Sequence, residues 1–143
     1  MSPPMWVLSI PLGMALAFIP RVYAGILTHK RLGGVDIVDP RGQLKSKMME
    51  EKDKDRLISR AIGTHQNGLE ALMMWSAAVM LARSTDVPVS KIDRIATVWV
   101  GSRIAYSITY IWVATTQPLS FLRTAIFMVS TLFSWALTHN IAL

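Results

Sequence analysis

Three stretches of the chain are almost free of charged residues and long enough to cross a lipid bilayer. They are residues 4–27, 95–122 and 124–143, and the charges inside them are Arg21 and Arg103. Because about 20 apolar residues span the hydrocarbon core of a membrane, each stretch has the length of a transmembrane helix. A backbone in hydrocarbon must satisfy its own hydrogen bonds, and a helix does so within one segment.

A fourth apolar run, residues 60–81, carries polar residues in its first half. The chain has 143 residues, of which 52% are hydrophobic and 17% are charged, so four spans leave little room for another domain. The sequence therefore predicts a single all-α domain over residues 1–143, an integral membrane four-helix bundle whose helices run up and down. The predicted spans are approximately residues 4–27, 58–82, 92–114 and 119–140.

The connections between the spans differ in charge. Residues 28–56 form the one strongly polar segment, with eight basic residues against six acidic ones. The third connection lies on the same side and adds Arg123, whereas the opposite side has Arg83, Lys91 and Arg94. By the positive-inside rule, this bias predicts that the long first loop faces the cytosol and that both termini face the other side.

Charge and composition also exclude several kinds of chemistry. The net charge of +6 is not grouped with aromatic residues on a soluble face, so we predict no nucleic-acid partner. The chain has no cysteine, so any sulfur chemistry needs a thiol from outside. His65 has no second histidine or carboxylate at ligand spacing, and we predict no metal site.

Two of the spans carry aligned rows of polar residues. Residues three, four and seven apart share one face of a helix. Partners within the bundle would account for any single polar residue, since groups buried in hydrocarbon need partners. The whole set exceeds what cohesion requires and predicts a pocket for a small zwitterionic molecule with carboxylates. The rows are Arg60, Gly63, Asn67, Glu70 and Met74 in the second span, and Arg103, Tyr106 and Tyr110 in the third.

Four motifs along the chain resemble, in the same order, those of the membrane-associated proteins in eicosanoid and glutathione metabolism, the MAPEG family. They are GGVDIVDPRGQL in the long loop, RAIGTHQNGLEAL in the second span, RIAYSITY in the third and FLRTAIF at the start of the fourth. The family includes microsomal glutathione transferases, microsomal prostaglandin E synthase and the leukotriene-forming conjugating enzyme. The resemblance covers most of the chain.

The resemblance implies a homotrimer of four-helix protomers in the endoplasmic reticulum or a related membrane. It implies that glutathione binds between neighbouring subunits near the cytosolic face. The first hypothesis is therefore an enzyme that uses glutathione to conjugate, reduce or isomerise a lipophilic electrophile, which enters from the bilayer. Arg123 would stabilise the glutathione thiolate, with Tyr106 as the second catalytic candidate. The residues that it implies for binding glutathione are Arg60, His65, Asn67, Glu70, Arg103 and Tyr110.

One position departs from the family pattern. Several glutathione-using members have an arginine four residues before the asparagine, where this chain has Gly63. A second hypothesis therefore keeps the fold without the thiol: an isomerase or tailoring enzyme in which Tyr106, His65 or Glu70 carries protons. A third hypothesis is a non-catalytic protein that binds and presents lipids. The presence of Arg123 and Tyr110 favours catalysis.

Overall fold

The structure is a computed structural model that describes residues 3–44, 46–113 and 116–138. Within these residues it is helical, with no strand, which confirms the predicted all-α class. A π-helical turn, Thr109–Val113, continues α5. The helices are Met5–Leu32 (α1), Pro40–Leu44 (α2), Lys47–Lys52 (α3), Leu57–Ser84 (α4), Val89–Ile108 (α5) and Gln117–Thr138 (α6).

The predicted spans lie on the four longest of these helices. The first two spans fall on α1 and α4, except that the first begins one residue before α1. The third span falls on α5 and the π-helical turn, and its last residue, 114, lies outside the described residues. The fourth span begins within α6, and its last two residues, 139 and 140, also lie outside them.

Contacts near both ends of α1 define how it runs beside α4. Near the start of α1, the Ser9 hydroxyl accepts a hydrogen bond of 2.8 Å from the indole N–H of Trp75, late in α4. At the other end, the Arg31 guanidinium lies 3.2 Å from the Asp53 carboxylate, just before α4. The two helices are therefore antiparallel. Helix α6 packs against both α4 and α5.

Small residues let these helices approach closely. The rings of Trp75 and Trp99 are fully buried and stack with centroids 4.9 Å apart. A Cβ atom on Gly13 would lie 2.9 Å from the Trp99 ring, and one on Gly68 would lie 3.0 Å from the Ala17 backbone. Close backbone approach at small residues is a typical way for helices to associate in membranes.

The apolar character of the outer surface differs among the helices. Among the described helices, α1 is the one whose length and composition allow it to cross a membrane. Helix α6 contains a shorter apolar run, Phe121–Leu137, and in α4 and α5 the polar rows interrupt the apolar sequence. Large apolar side chains such as Ile19, Val22 and Trp135 are exposed on the surface of the protomer. A surface of this kind needs a lipid or protein cover.

A buried carboxylate just before α4 fixes the start of that helix. The chain enters α4 through Arg56, whose φ of 52° is left-handed. Asp53 then accepts hydrogen bonds from the backbone N–H groups of Ile58, at 3.0 Å, and Ser59, at 3.1 Å. These N–H groups have no partner inside the helix, so a carboxylate there caps the helix and favours its dipole. The capped start of α4 therefore fixes the position of the polar row, which begins at Arg60.

The ion pair between Asp55 and Arg31 makes the stability of this junction depend on pH. Its two hydrogen bonds, of 2.7 and 2.9 Å, hold the pKa of Asp55 well below its usual range. A lowered pKa adds stability above the pKa of the unfolded state, about 4, and this stability is lost as the pH falls. We expect the thermal midpoint of the wild type to fall on acidification relative to Asp55→Asn, measured in detergent. If the thermal midpoints of the wild type and Asp55→Asn fell equally as the pH was lowered, the prediction would be contradicted. The difference should be small, since Asp55 is 53% exposed.

Candidate functional site

The polar row of α4 faces α5 and α6 across a cavity of about 240 Å³. On the α4 side, the amide nitrogen of Asn67 donates a hydrogen bond of 2.6 Å to the Tyr106 hydroxyl on α5. Four of the lining residues belong to the two predicted rows. The residues that line the cavity are Asn67, Glu70, Tyr106, Tyr110, Arg123, Thr124 and Phe127.

The two tyrosines of this cavity are held by the end of α5. Tyr106 is buried in the last turns of α5, whereas Tyr110 lies in the π-helical turn that follows. Their rings meet edge to face with centroids 5.5 Å apart. A π-helical turn inserts an extra residue into the helical repeat and is often found at functional sites. The turn therefore sets where Tyr110 projects relative to Tyr106.

Arg123 provides the positive charge at the cavity wall. Its side chain is half-buried, and its guanidinium lies 4.5 Å from the centroid of the Tyr110 ring. Within the described residues it forms no ion pair. A guanidinium held over an aromatic face can still use the N–H donors of its own plane to bind another group. Arg123 can therefore bind or stabilise an anion inside the cavity.

Glu70 provides a negative charge at the same cavity. It is exposed in the protomer, and within the described residues it has no hydrogen bond or ion pair. The cavity thus combines a free carboxylate and a cation with an amide and two phenols. This set of groups matches a ligand that carries both signs of charge.

Arg103 belongs to the same helix face as the tyrosines but does not line the cavity. It is only 3% exposed, and its guanidinium lies 4.3 Å from the centroid of the Tyr106 ring and 5.8 Å from that of Phe127. It also donates a hydrogen bond of 3.2 Å to the Ser130 hydroxyl. Because both rings line the cavity, Arg103 lies behind an aromatic layer.

Arg60 and His65, which were also predicted at the site, make their contacts outside the cavity. The Arg60 Nε–H donates a hydrogen bond of 2.9 Å to the Ile111 carbonyl in the π-helical turn. His65 Nδ1 lies 2.9 Å from the Ala17 carbonyl, and its ring meets that of Phe18 on α1. The cavity of the protomer does not include either residue.

Two lining residues on α6 were missed by the sequence analysis. Thr124 follows Arg123 directly, and Phe127 lies four residues after it, on the same helix face. The spacing of four between Arg123 and Phe127 was the signal that would have identified Phe127. Nothing in the sequence distinguished Thr124 from the other small polar residues of α6.

Comparison with known proteins gives one match. The sequence model described as the MAPEG family matches residues 6–143, nearly the whole chain. No curated protein matches the chain, and no solved structure matches it.

Proposed function

The chain belongs to the MAPEG family and is a membrane protein, and on that premise we propose that it uses glutathione to conjugate, reduce or isomerise a lipophilic electrophile. The observation that carries this proposal is the cavity in which Arg123, Asn67 and Glu70 meet two tyrosines. The lipophilic substrate enters from the bilayer and the tripeptide from the cytosol.

The cavity offers partners for the ammonium, amide and thiol groups of glutathione. The tripeptide has an ammonium group, which the free carboxylate of Glu70 attracts, and amides that Asn67 and Tyr110 can bind. Arg123 favours the thiolate, because a neighbouring cation lowers the pKa of a thiol. The Tyr106 hydroxyl accepts a hydrogen bond of 2.6 Å from Asn67, so its own proton remains available for a hydrogen bond or for proton transfer to the ligand.

Charge balance supports an oligomeric site. Glutathione has two carboxylates and, when activated, a thiolate, whereas Arg123 is the one cation among the described residues that line the cavity. Further positive charge must come from outside this cavity, and we infer that a neighbouring subunit supplies it. The oligomer proposed from the family resemblance is a homotrimer.

We expect the purified protein to have the mass of three protomers in detergent, measured by light scattering with the detergent contribution subtracted. Because the charge balance of the site requires a neighbour, conditions that dissociate the trimer should also abolish glutathione binding. A stable monomer that binds glutathione as tightly as the intact protein would contradict this prediction.

In the proposed orientation the cavity that binds glutathione, which we call the thiol site, lies near the cytosol. The basic residues of the first loop favour a cytosolic loop by the positive-inside rule. Helix α4 begins directly after that loop, and Asn67 and Glu70 lie in its first half. The endoplasmic reticulum or a related membrane is the compartment that the resemblance implies.

Glutathione binding to the purified protein, measured by calorimetry, is the direct test of this function. Asn67→Ala removes a hydrogen-bond partner from the cavity and leaves the hydroxyl of the buried Tyr106 without its donor, so we expect a loss of about 1–3 kcal/mol in binding free energy. The matched control is Gln66→Ala, because Gln66 is an exposed neighbour on α4 that does not line the cavity. No binding by the wild type would refute the proposed function, and equal losses in both variants would refute the placement of Asn67 in the glutathione site.

One observation favours a second candidate function, an isomerase or tailoring enzyme that does not use a thiol. Position 63 is glycine, and Arg60 is bonded to a backbone carbonyl, so the row on α4 directs no arginine into the cavity. Tyr106, whose hydroxyl accepts a hydrogen bond from Asn67, and the free carboxylate of Glu70 would then carry protons. Activity that does not depend on added glutathione would support this alternative.

A further inference from the structure

Gly63 lies against the hydroxyl group of Tyr110. A Cβ atom added at Gly63 would be 2.7 Å from the Tyr110 Oη atom and 3.2 Å from its Cζ atom. Contacts below 3.0 Å essentially never occur for a real Cβ, so alanine at this position would displace the phenol. Glycine inside a helix costs about 1 kcal/mol relative to alanine. Because Gly63 has no side chain, the Tyr110 hydroxyl has room to lie against α4 at this point.

Three helices hold the Tyr110 ring in this position. The ring meets that of Tyr106 edge to face at 5.5 Å, and the Arg123 guanidinium lies over it at 4.5 Å. The backbone of its π-helical turn is anchored to α4 by the hydrogen bond of 2.9 Å from Arg60 Nε to the Ile111 carbonyl. A ring that is fixed on several sides has little freedom to move away from a new Cβ atom.

The Tyr110 phenol lies between two turns of α4, as the order of residues along that helix shows. Arg60, Gly63 and Asn67 follow one another on the same helix face, at spacings of three and four. Tyr110 contacts the middle one of the three and also lines the cavity that Asn67 lines. Its phenol therefore lies between the turn that carries Arg60 and the turn that carries Asn67, and Arg60 is not among the lining residues.

From this geometry we propose that Gly63 is a positioning residue for the thiol site. The open space at Gly63 admits the Tyr110 hydroxyl against α4, and the phenol then forms the end wall of the cavity and keeps Arg60 outside it. Gly63 does not touch the ligand and acts through Tyr110. This inference rests on the proposed binding of glutathione and identifies a residue that controls the shape of its site.

A double-mutant cycle of Gly63→Ala and Tyr110→Phe, measured by the dissociation constant of glutathione, tests this proposal. We expect Gly63→Ala alone to raise the dissociation constant about tenfold, within the range of coupling between contacting residues. In the Tyr110→Phe background the same substitution should raise it less than about twofold, since the oxygen at 2.7 Å is gone and the Cζ atom at 3.2 Å has to yield by only a few tenths of an ångström. Rescue of this kind is specific to the Gly63–Tyr110 contact.

Gly101→Ala is the matched control for adding a methyl group to a helix. A Cβ at Gly101 on α5 would meet no atom within 4 Å, so this variant should bind glutathione like the wild type. The thermal midpoint of each variant in detergent separates loss of binding from loss of folding. If Gly63→Ala does not fold, the double variant decides: binding equal to that of Tyr110→Phe supports the proposal, and failure to fold overturns it.

The remaining outcomes also decide between explanations. Wild-type affinity in Gly63→Ala, or losses that simply multiply in the double variant, would overturn the positioning role while leaving glutathione binding intact. If the wild type itself does not bind glutathione, the proposed function fails, and the role of Gly63 that rests on it fails with it.

Discussion

Replacement of Arg123 by alanine is expected to lower the turnover number of the glutathione reaction about a hundredfold, as for the loss of one preorganised charge-stabilising donor. The reason is that Arg123 is the one cation among the described residues that line the cavity. A guanidinium next to the sulfur stabilises the thiolate and the charge that develops during the reaction. Binding of the neutral thiol form involves Asn67 and Glu70, so the affinity for glutathione should change much less.

The measurement is the turnover number together with the ultraviolet absorbance of the thiolate as a function of pH. The pH at which the thiolate appears should be higher in Arg123→Ala than in the wild type, because the variant lacks the cation that lowers the pKa of the thiol. Arg123→Lys should recover part of this shift, since it keeps a positive charge but not the planar guanidinium. Arg94→Ala is the matched control, because Arg94 is exposed on α5 and does not line the cavity.

Two results would contradict this role. A thiolate titration that is the same in wild type and Arg123→Ala would mean that the guanidinium does not act on the sulfur. A large loss of affinity without a loss of turnover would make Arg123 a binding residue, for example for a carboxylate of the tripeptide.

Helical periodicity correctly predicted that two polar residues of α4 share the face that lines the cavity, although the other members of that row do not line it. Spacings of three and four predict that Asn67 and Glu70 point in one direction, and in the structure both line the same cavity as Tyr106 and Tyr110. The contribution of Arg123 could not be derived from periodicity, because spacing along one helix does not tell which helix lies opposite. The family resemblance supplied that pairing.

The remaining differences arise from features that spacing does not contain. A regular helix would repeat every 3.6 residues through Tyr110, but the chain forms a π-helical turn there, which redirects the side chains. The long side chain of Arg103 reaches Ser130 on α6. The imidazole ring of His65 reaches the Ala17 carbonyl on α1. Their directions depend on tertiary packing.

The second large effect concerns Arg103, which we expect to matter for stability. Arg103→Ala should lower the free energy of unfolding by about 3 kcal/mol, because truncation of a large buried side chain leaves a cavity. The side chain is 3% exposed and fills the space between Tyr106, Phe127 and Ser130. In the described residues no carboxylate pairs with it, so its packing and its contacts with the two rings offset the cost of burying the charge.

Comparison with Arg103→Met separates the packing of the side chain from its charge. Methionine fills much of the same volume without a charge. The cost of burying the charge then disappears together with the contacts to the two rings and to Ser130, so we expect a change of less than about 1 kcal/mol. The matched control is Arg83→Ala, because Arg83 lies 5.5 Å from the Trp6 ring but is exposed, and its loss should have little effect. Thermal unfolding in detergent measures all three variants.

Glutathione affinity measured on the same variants tests whether the buried charge acts on the site. Arg103 is separated from the cavity by the rings of Tyr106 and Phe127, both of which line it. If the residue acts only through packing, Arg103→Met should keep the wild-type affinity. If Arg103→Met is as unstable as Arg103→Ala, the packing explanation is wrong. If it is stable but binds glutathione poorly, the positive charge acts on the ligand through the aromatic layer.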